Sequence, residues 1–160
     1  MRETKSSFLA PGFTLMELLV VLFILSILAA VAVPNWANLL PTYRLNSASR
    51  QIQSELHRVK AQAVATNTEF QLNFSSTSYS IEKRSGALWQ PTGENKPLPE
   101  GIAIRSTTSP RLGFTAHGTA TPGTGGTVKL CNVHGAGKNL VVSSTGRIRI
   151  CRPVTCDGIC

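Results

Sequence analysis

Apolar positions follow three successive patterns along the 160 residues. From Phe13 to Val33 the chain is apolar almost without interruption, and Glu17 is its one charge. As a helix rising about 1.5 Å per residue, such a run matches a bilayer core of about 30 Å. From Thr42 to Asn67 the apolar residues recur at steps of three and four. Leu45, Ala48, Ile52, Leu56, Val59 and Ala63 form one stripe, which predicts a helix laid against a sheet. Between these segments Pro34 and Pro41 each remove a helical hydrogen bond, so a kink or melted turn is expected there. Trp36 suits a membrane interface. Beyond Asn67 the period drops to two. Phe70, Leu72 and Phe74 alternate with polar residues, 75–78 reads as a turn, and Tyr79 and Ile81 return on a second strand. Further strands are expected at 87–90, 102–105, 112–115, 128–133, 140–143 and 147–152, with Pro91 to Gly101 as a loop. Residues 117–127 carry four glycines and four threonines and read as a mobile excursion. The chain is therefore of the α+β class, a long N-terminal helix packed on a C-terminal domain of short antiparallel strands.

The position of Glu17 sharpens this picture. A carboxylate in hydrocarbon costs roughly a few kcal/mol, so it calls for a functional reason. A cut after Gly12 would supply one, because Phe13 would then carry an α-amine one helical turn from Glu17. Two other readings fit the same run. One is a secretory signal, with Arg2 and Lys5 as its basic start and Ala30-Val31-Ala32 as its cleavage site, giving a secreted protein that begins at Val33. The other is a plain single-span anchor, which leaves Gly12 and Glu17 unexplained.

Charge and cysteines narrow the remainder. The formal net charge is +8, and from Gly101 onward seven Lys or Arg face one acid, Asp157, or 7 − 1 = +6. That skew suits an anionic partner, and equally a cationic surface that aids solubility. Cys131, Cys151, Cys156 and Cys160 all lie in the last 30 residues. An oxidising compartment would pair them; the preferred pattern is Cys131 with Cys151 and Cys156 with Cys160. A zinc site of Cys151, Cys156, Cys160 and His134 is the alternative, though its spacing fits no familiar module.

Catalysis finds little support, and no cofactor or metal is expected. Asp157 is the single aspartate, and His57 has no partner at metal spacing. Gly135-Ala136-Gly137-Lys138 lacks the first glycine of a phosphate loop, and Asn139 stands where Ser or Thr should follow. It reads as a hairpin turn with a solvated lysine. The informative stretch is Gly146-Arg147-Ile148-Arg149-Ile150. In a strand, Ile148 and Ile150 point inward while Arg147 and Arg149 share the outer face. Two guanidinium forks so placed suit phosphate oxygens, with Lys138 and Arg152 assisting. Charges guarding an edge strand against aggregation produce the same pattern.

The run Gly12-Phe13-Thr14-Leu15-Met16-Glu17-Leu18 resembles the processing signal of the type IV pilin and pseudopilin superfamily. The resemblance implies that 1–12 is a leader removed by prepilin peptidase between Gly12 and Phe13, and that Phe13 is N-methylated. It further implies that 13–41 is a transmembrane helix that leaves the inner membrane to pack in a filament core. Glu17 would there neutralise a neighbour's amine. Residues 42–160 would be a periplasmic domain similar to the GspH/FimT family, later displayed on a pilus at the cell surface. Other pilins and the inner-membrane assembly platform would be its partners. Gly146-Arg147-Ile148-Arg149 matches a Gly-Arg-x-Arg motif through which FimT-like minor pilins bind DNA, so the resemblance implies DNA binding for natural transformation. A purely structural role in priming a pilus or a type II secretion filament is the alternative.

Overall fold

A computed structural model describes residues 12–153, 155, 156 and 158. The leader to Pro11, and with them Asp157 and Cys160, lie outside the described residues. The chain forms two compact units, 1–38 and 39–160.

In the first unit, helix α1 (Leu15–Thr66) begins because Thr14 caps it: the hydroxyl oxygen of Thr14 accepts from the Glu17 backbone N–H at 3.2 Å. Glu17 also lies in the first turn, where a negative charge complements the helix dipole. Its neighbours Leu18, Leu22, Phe23, Ile24 and Leu25 are all exposed. The described side chains run unbroken only from Gly12 to Ala30, and among the described residues no helix is long and apolar enough to cross a membrane. The helix passes through Pro34 and Pro41, so no turn melts there. Proline's fixed φ is itself helical, and losing one bond at a time leaves the neighbouring ladder intact.

In the second unit, the predicted stripe is the buried face of α1. Leu45, Ala48, Ile52, Leu56, Val59 and Ala63 are all at most 2% exposed. The helix ends at Asn67, whose φ of 49° lets Thr68 N–H bond the Ala63 carbonyl at 3.1 Å and Asn67 N–H bond that of Val64. Among the described residues eight antiparallel strands follow in two sheets. The first sheet runs β3 (Leu88–Pro97), β2 (Ser78–Ser85), β1 (Phe70–Phe74), β5 (Arg111–Phe114). The second runs β4 (Ile102–Thr107), β6 (Gly126–Asn132), β7 (Gly137–Val142), β8 (Ile148–Cys151). Phe70, Leu72, Ile81 and Leu112 from one sheet and Val128, Leu130 and Leu140 from the other enclose the stripe in a single core. Every buried apolar residue of that core lies between Leu45 and Val142, so 39–160 carries its own hydrophobic core.

Two expectations are corrected. The stretch from Pro91 to Pro97 is strand, not loop. β3 is an edge, paired on one side only, and an edge tolerates prolines that a central strand would reject. Glu55 on α1 anchors it, accepting from Lys96 and from Arg58, while Arg58 reaches Glu94 at 2.6 Å. Partial burial pushes the Glu55 carboxyl up, but hydrogen bonds from Lys96 and Arg58 outweigh it and hold the group below the ordinary carboxylate value. The Gly/Thr-rich excursion is likewise bound rather than loose. Ala120 bridges Phe114, Thr121 N–H donates to the Gly113 carbonyl, and Ala120 N–H donates to that of Ser144. Thr121 and Thr124 are buried, and Thr124 Oγ1 donates to the Thr121 carbonyl at 2.6 Å. Short hydroxyl side chains let such a segment satisfy its own backbone.

Candidate nucleic-acid interface

The β7–β8 hairpin is fixed from below by backbone geometry. Gly146 has a φ of +77°, and a Cβ there would collide with the Gly118 carbonyl oxygen. Only glycine meets both conditions. Around it Ser143 N–H donates to the Arg147 carbonyl at 3.0 Å, Gly146 N–H donates to the Ser143 carbonyl at 2.8 Å, and Arg147 N–H donates to Ser143 Oγ. From α1, Lys60 Nζ donates to the Gly146 carbonyl at 2.9 Å. The glycine of the Gly-Arg-x-Arg run thus docks the hairpin against the helix and the Gly/Thr segment.

Beyond the turn the predicted alternation holds. Ile148 and Ile150 pack against the core, and Arg147 and Arg149 are exposed. Neither arginine has an ion pair among the described residues, whereas Arg44, Arg58 and Arg84 all do. Arg149 is therefore available on a strand of defined register, in which Val141 faces Arg149 and Leu140 faces Ile150, and Arg147 is available just before that strand. β8 is also an edge of its sheet, so the guard reading shares the same geometry.

Lys138 and Arg152 do not join them. Lys138 pairs with Leu130 and lies two residues from buried Leu140, on the core-facing side of β7. With Arg152 it lines a cleft shared with Thr42, Leu45 and Asn46. The four basic residues expected to act together thus divide between two faces. Lys60 and Gly118, which set the turn, are residues that sequence reasoning missed; their contacts are long-range and leave no local pattern.

The expected pairing of Cys131 with Cys151 is overturned. Cys131 bonds Cys156, with Cα atoms 5.5 Å apart. β7 stands between β6 and β8, so Cys131 and Cys151 sit two strand spacings apart, about 10 Å, beyond disulfide reach. The tail instead folds back over the β6–β7 turn, where Cys156 N–H donates to the Gly135 carbonyl and its backbone rests against Gly137. Cys151 is disulfide-bonded as well, and Cys160 lies outside the described residues. These disulfides remove the thiolates that the zinc alternative requires. The turn lies at 133–136, closed by Asn132 Oδ1, which accepts from His134 and Ala136 N–H, while Gly137 and Lys138 open β7, where Lys138 is half-buried rather than solvated.

Comparison with known proteins adds to this geometry. The family described as type II transport protein GspH matches residues 48–146. The prokaryotic N-terminal methylation motif matches residues 11–33. Curated protein sequences give no match. Among solved structures, the type IV minor pilin FimU of Pseudomonas aeruginosa is similar at 23% identity and a TM-score of 0.58, covering 72% of this chain and 96% of that one. The minor pseudopilin EpsH from the type 2 secretion system of Vibrio cholerae is similar at 13% identity and 0.58, covering 69% and 98%. GspH of E. coli is similar at 16% identity and 0.55, covering 69% and 89%. At these identities the likeness speaks to the pilin-like α+β fold.

Proposed function

From the premise that the chain belongs to the GspH family, within the type IV pilin and pseudopilin superfamily, we propose that it is a minor pilin whose β8 face binds DNA outside the cell for uptake. The observation that carries this reading is the pair of exposed guanidinium groups of Arg147, just ahead of edge strand β8, and Arg149, on it, neither with an ion pair among the described residues. Phosphate oxygens are the natural acceptors for such forks, and phosphate contacts carry no base sequence. Binding is therefore sequence-independent and falls steeply with salt.

The domain 39–160 tests it in a DNA-shift titration over a range of salt. Arg147→Ala/Arg149→Ala is expected to weaken binding about tenfold and to reduce the slope of log affinity against log salt by about two. Equal affinity and slope in parent and variant would remove the assignment.

The exposed arm of α1 carries the assembly half of the proposal. Prepilin peptidase cuts between Gly12 and Phe13, Phe13 is N-methylated, and the arm holds the chain in the inner membrane until it enters a filament. The apolar run 13–33 and the match to the methylation motif support this. In the filament Glu17 meets a neighbour's amine. Mass spectrometry of the mature chain is expected to read N-methylphenylalanine at position 13; a start at Val33 would instead make it a secreted protein.

The second reading is a pseudopilin of type II secretion that contacts only other pilins. The description of the matching family and the place of β8 at a sheet edge favour it. Absence of any DNA shift at low salt would decide for it.

A further inference from the structure

Lys138 and Arg152 leave the sheet at the end nearest the start of the domain helix. Together with Thr42 and Asn46 they line a cleft of 230 Å³. A wider hollow adjoins it, sharing Asn46 and adding Arg50 and Tyr43. Among the described residues no acidic one lines either hollow. Lys138, Arg152 and Arg50 have no ion pair among the described residues. Burial, and then repulsion from Arg152 and Arg50, holds the Lys138 ammonium below the usual lysine value. Like charges gathered without a counterion oppose the fold that gathers them, and an anion seated among them reverses that sign. An ammonium, guanidinium forks, a hydroxyl and a carboxamide together offer donors in several directions, as a tetrahedral phosphate needs.

We propose that this cleft is a headgroup site for an anionic phospholipid, occupied while the chain waits in the membrane. Chain position selects lipid from among phosphate-bearing ligands. Thr42 follows Val33, the end of the apolar run, by 42 − 33 = 9 residues. Trp36, inside that interval, and Tyr43, just past it, are 78% and 71% exposed, and such amphipathic aromatics gather at headgroup level. Basic side chains beside a membrane anchor are drawn to anionic leaflets. The inference rests on reading the arm as that anchor. It does not involve Arg147, which precedes β8, or Arg149, which leaves β8 on the face away from Ile148 and Ile150.

The domain 39–160 lacks the arm and holds the whole described core, so its lipid binding reports on the cleft alone. Co-sedimentation with phosphatidylcholine vesicles, with and without phosphatidylglycerol, is measured at fixed ionic strength. The parent domain is expected to bind the phosphatidylglycerol vesicles preferentially. Lys138→Gln/Arg152→Gln, which keeps the apolar stems in place, is expected to weaken that binding about thirtyfold. Arg147→Ala/Arg149→Ala is expected to leave it unchanged. Equal binding to both vesicle types, or an unaltered glutamine variant, would overturn the site. Competition by inorganic phosphate at millimolar concentration would reassign it to a free anion and overturn the lipid. A glutamine variant that loses DNA affinity but keeps vesicle binding would make it part of the nucleic-acid surface. A mature chain starting at Val33 would sink the anchor reading without changing what the domain does with vesicles.

Discussion

Replacing Cys131 and Cys156 together by alanine is expected to cost the domain about 3.5 kcal/mol of unfolding free energy and to lower its melting temperature by on the order of 10 °C. The bond closes a loop spanning 25 residues, and freeing that loop restores entropy to the unfolded chain. The folded side loses as well. The tail lies against Gly137 so closely that a Cβ there would meet the Cys156 Cα at 2.6 Å, and this contact holds Arg152 and Pro153 beside Lys138. The double variant should therefore also lose the phosphatidylglycerol preference while keeping its DNA affinity. Denaturant unfolding of the parent and the double variant, both without reductant, measures the first effect. Equal midpoints in parent and variant would show that the tail is held by packing alone.

Gly146→Ala is the second large effect. A non-glycine residue at a φ of +77° costs about 1–2 kcal/mol. The added methyl also strikes the Gly118 carbonyl, which belongs to backbone held by the Thr115–Thr119 bonds and cannot swing aside as a side chain would. Overpacking of this kind adds about 1–3 kcal/mol. The hairpin relieves it by lifting away from α1, breaking the Lys60 bond to the Gly146 carbonyl and the bridge to Ala120. DNA affinity should then fall although Arg147 and Arg149 are both present. Thermal unfolding and the salt titration on this one variant test both parts. A stable variant with full DNA affinity would mean that the turn has no part in presenting the arginines.

Much of this architecture was legible wherever the governing interaction is local. The stripe from Leu45 to Ala63 and the alternation of Phe70, Leu72 and Phe74 are written at the period of their own element, and burial follows that period. Arg147 and Arg149 were readable for the same reason. What stayed hidden depends on strand order. The partner of Cys131 follows from β7 lying between β6 and β8, which no spacing of cysteines encodes. The edge position that lets β3 carry Pro91 and Pro97 is likewise a property of the sheet. The placing of Arg152 was within reach. Positions 149 and 152 differ by an odd number, so an extended chain turns them to opposite faces. Thr14 and Glu17 also form the Thr-x-x-Glu spacing of a helix cap, a local signal that reading Glu17 only as a charge in hydrocarbon passed over.

The rims of the two sheets have a bearing on life in a crowded fibre. Domains packed side by side in a filament would meet at concentrations where open strand borders zip together and lock. One border here ends in imino acids that have no hydrogen to give, and another bristles with guanidinium groups that repel their own kind. Along these two borders a neighbour is therefore left to touch through side chains, which part again without tearing a sheet.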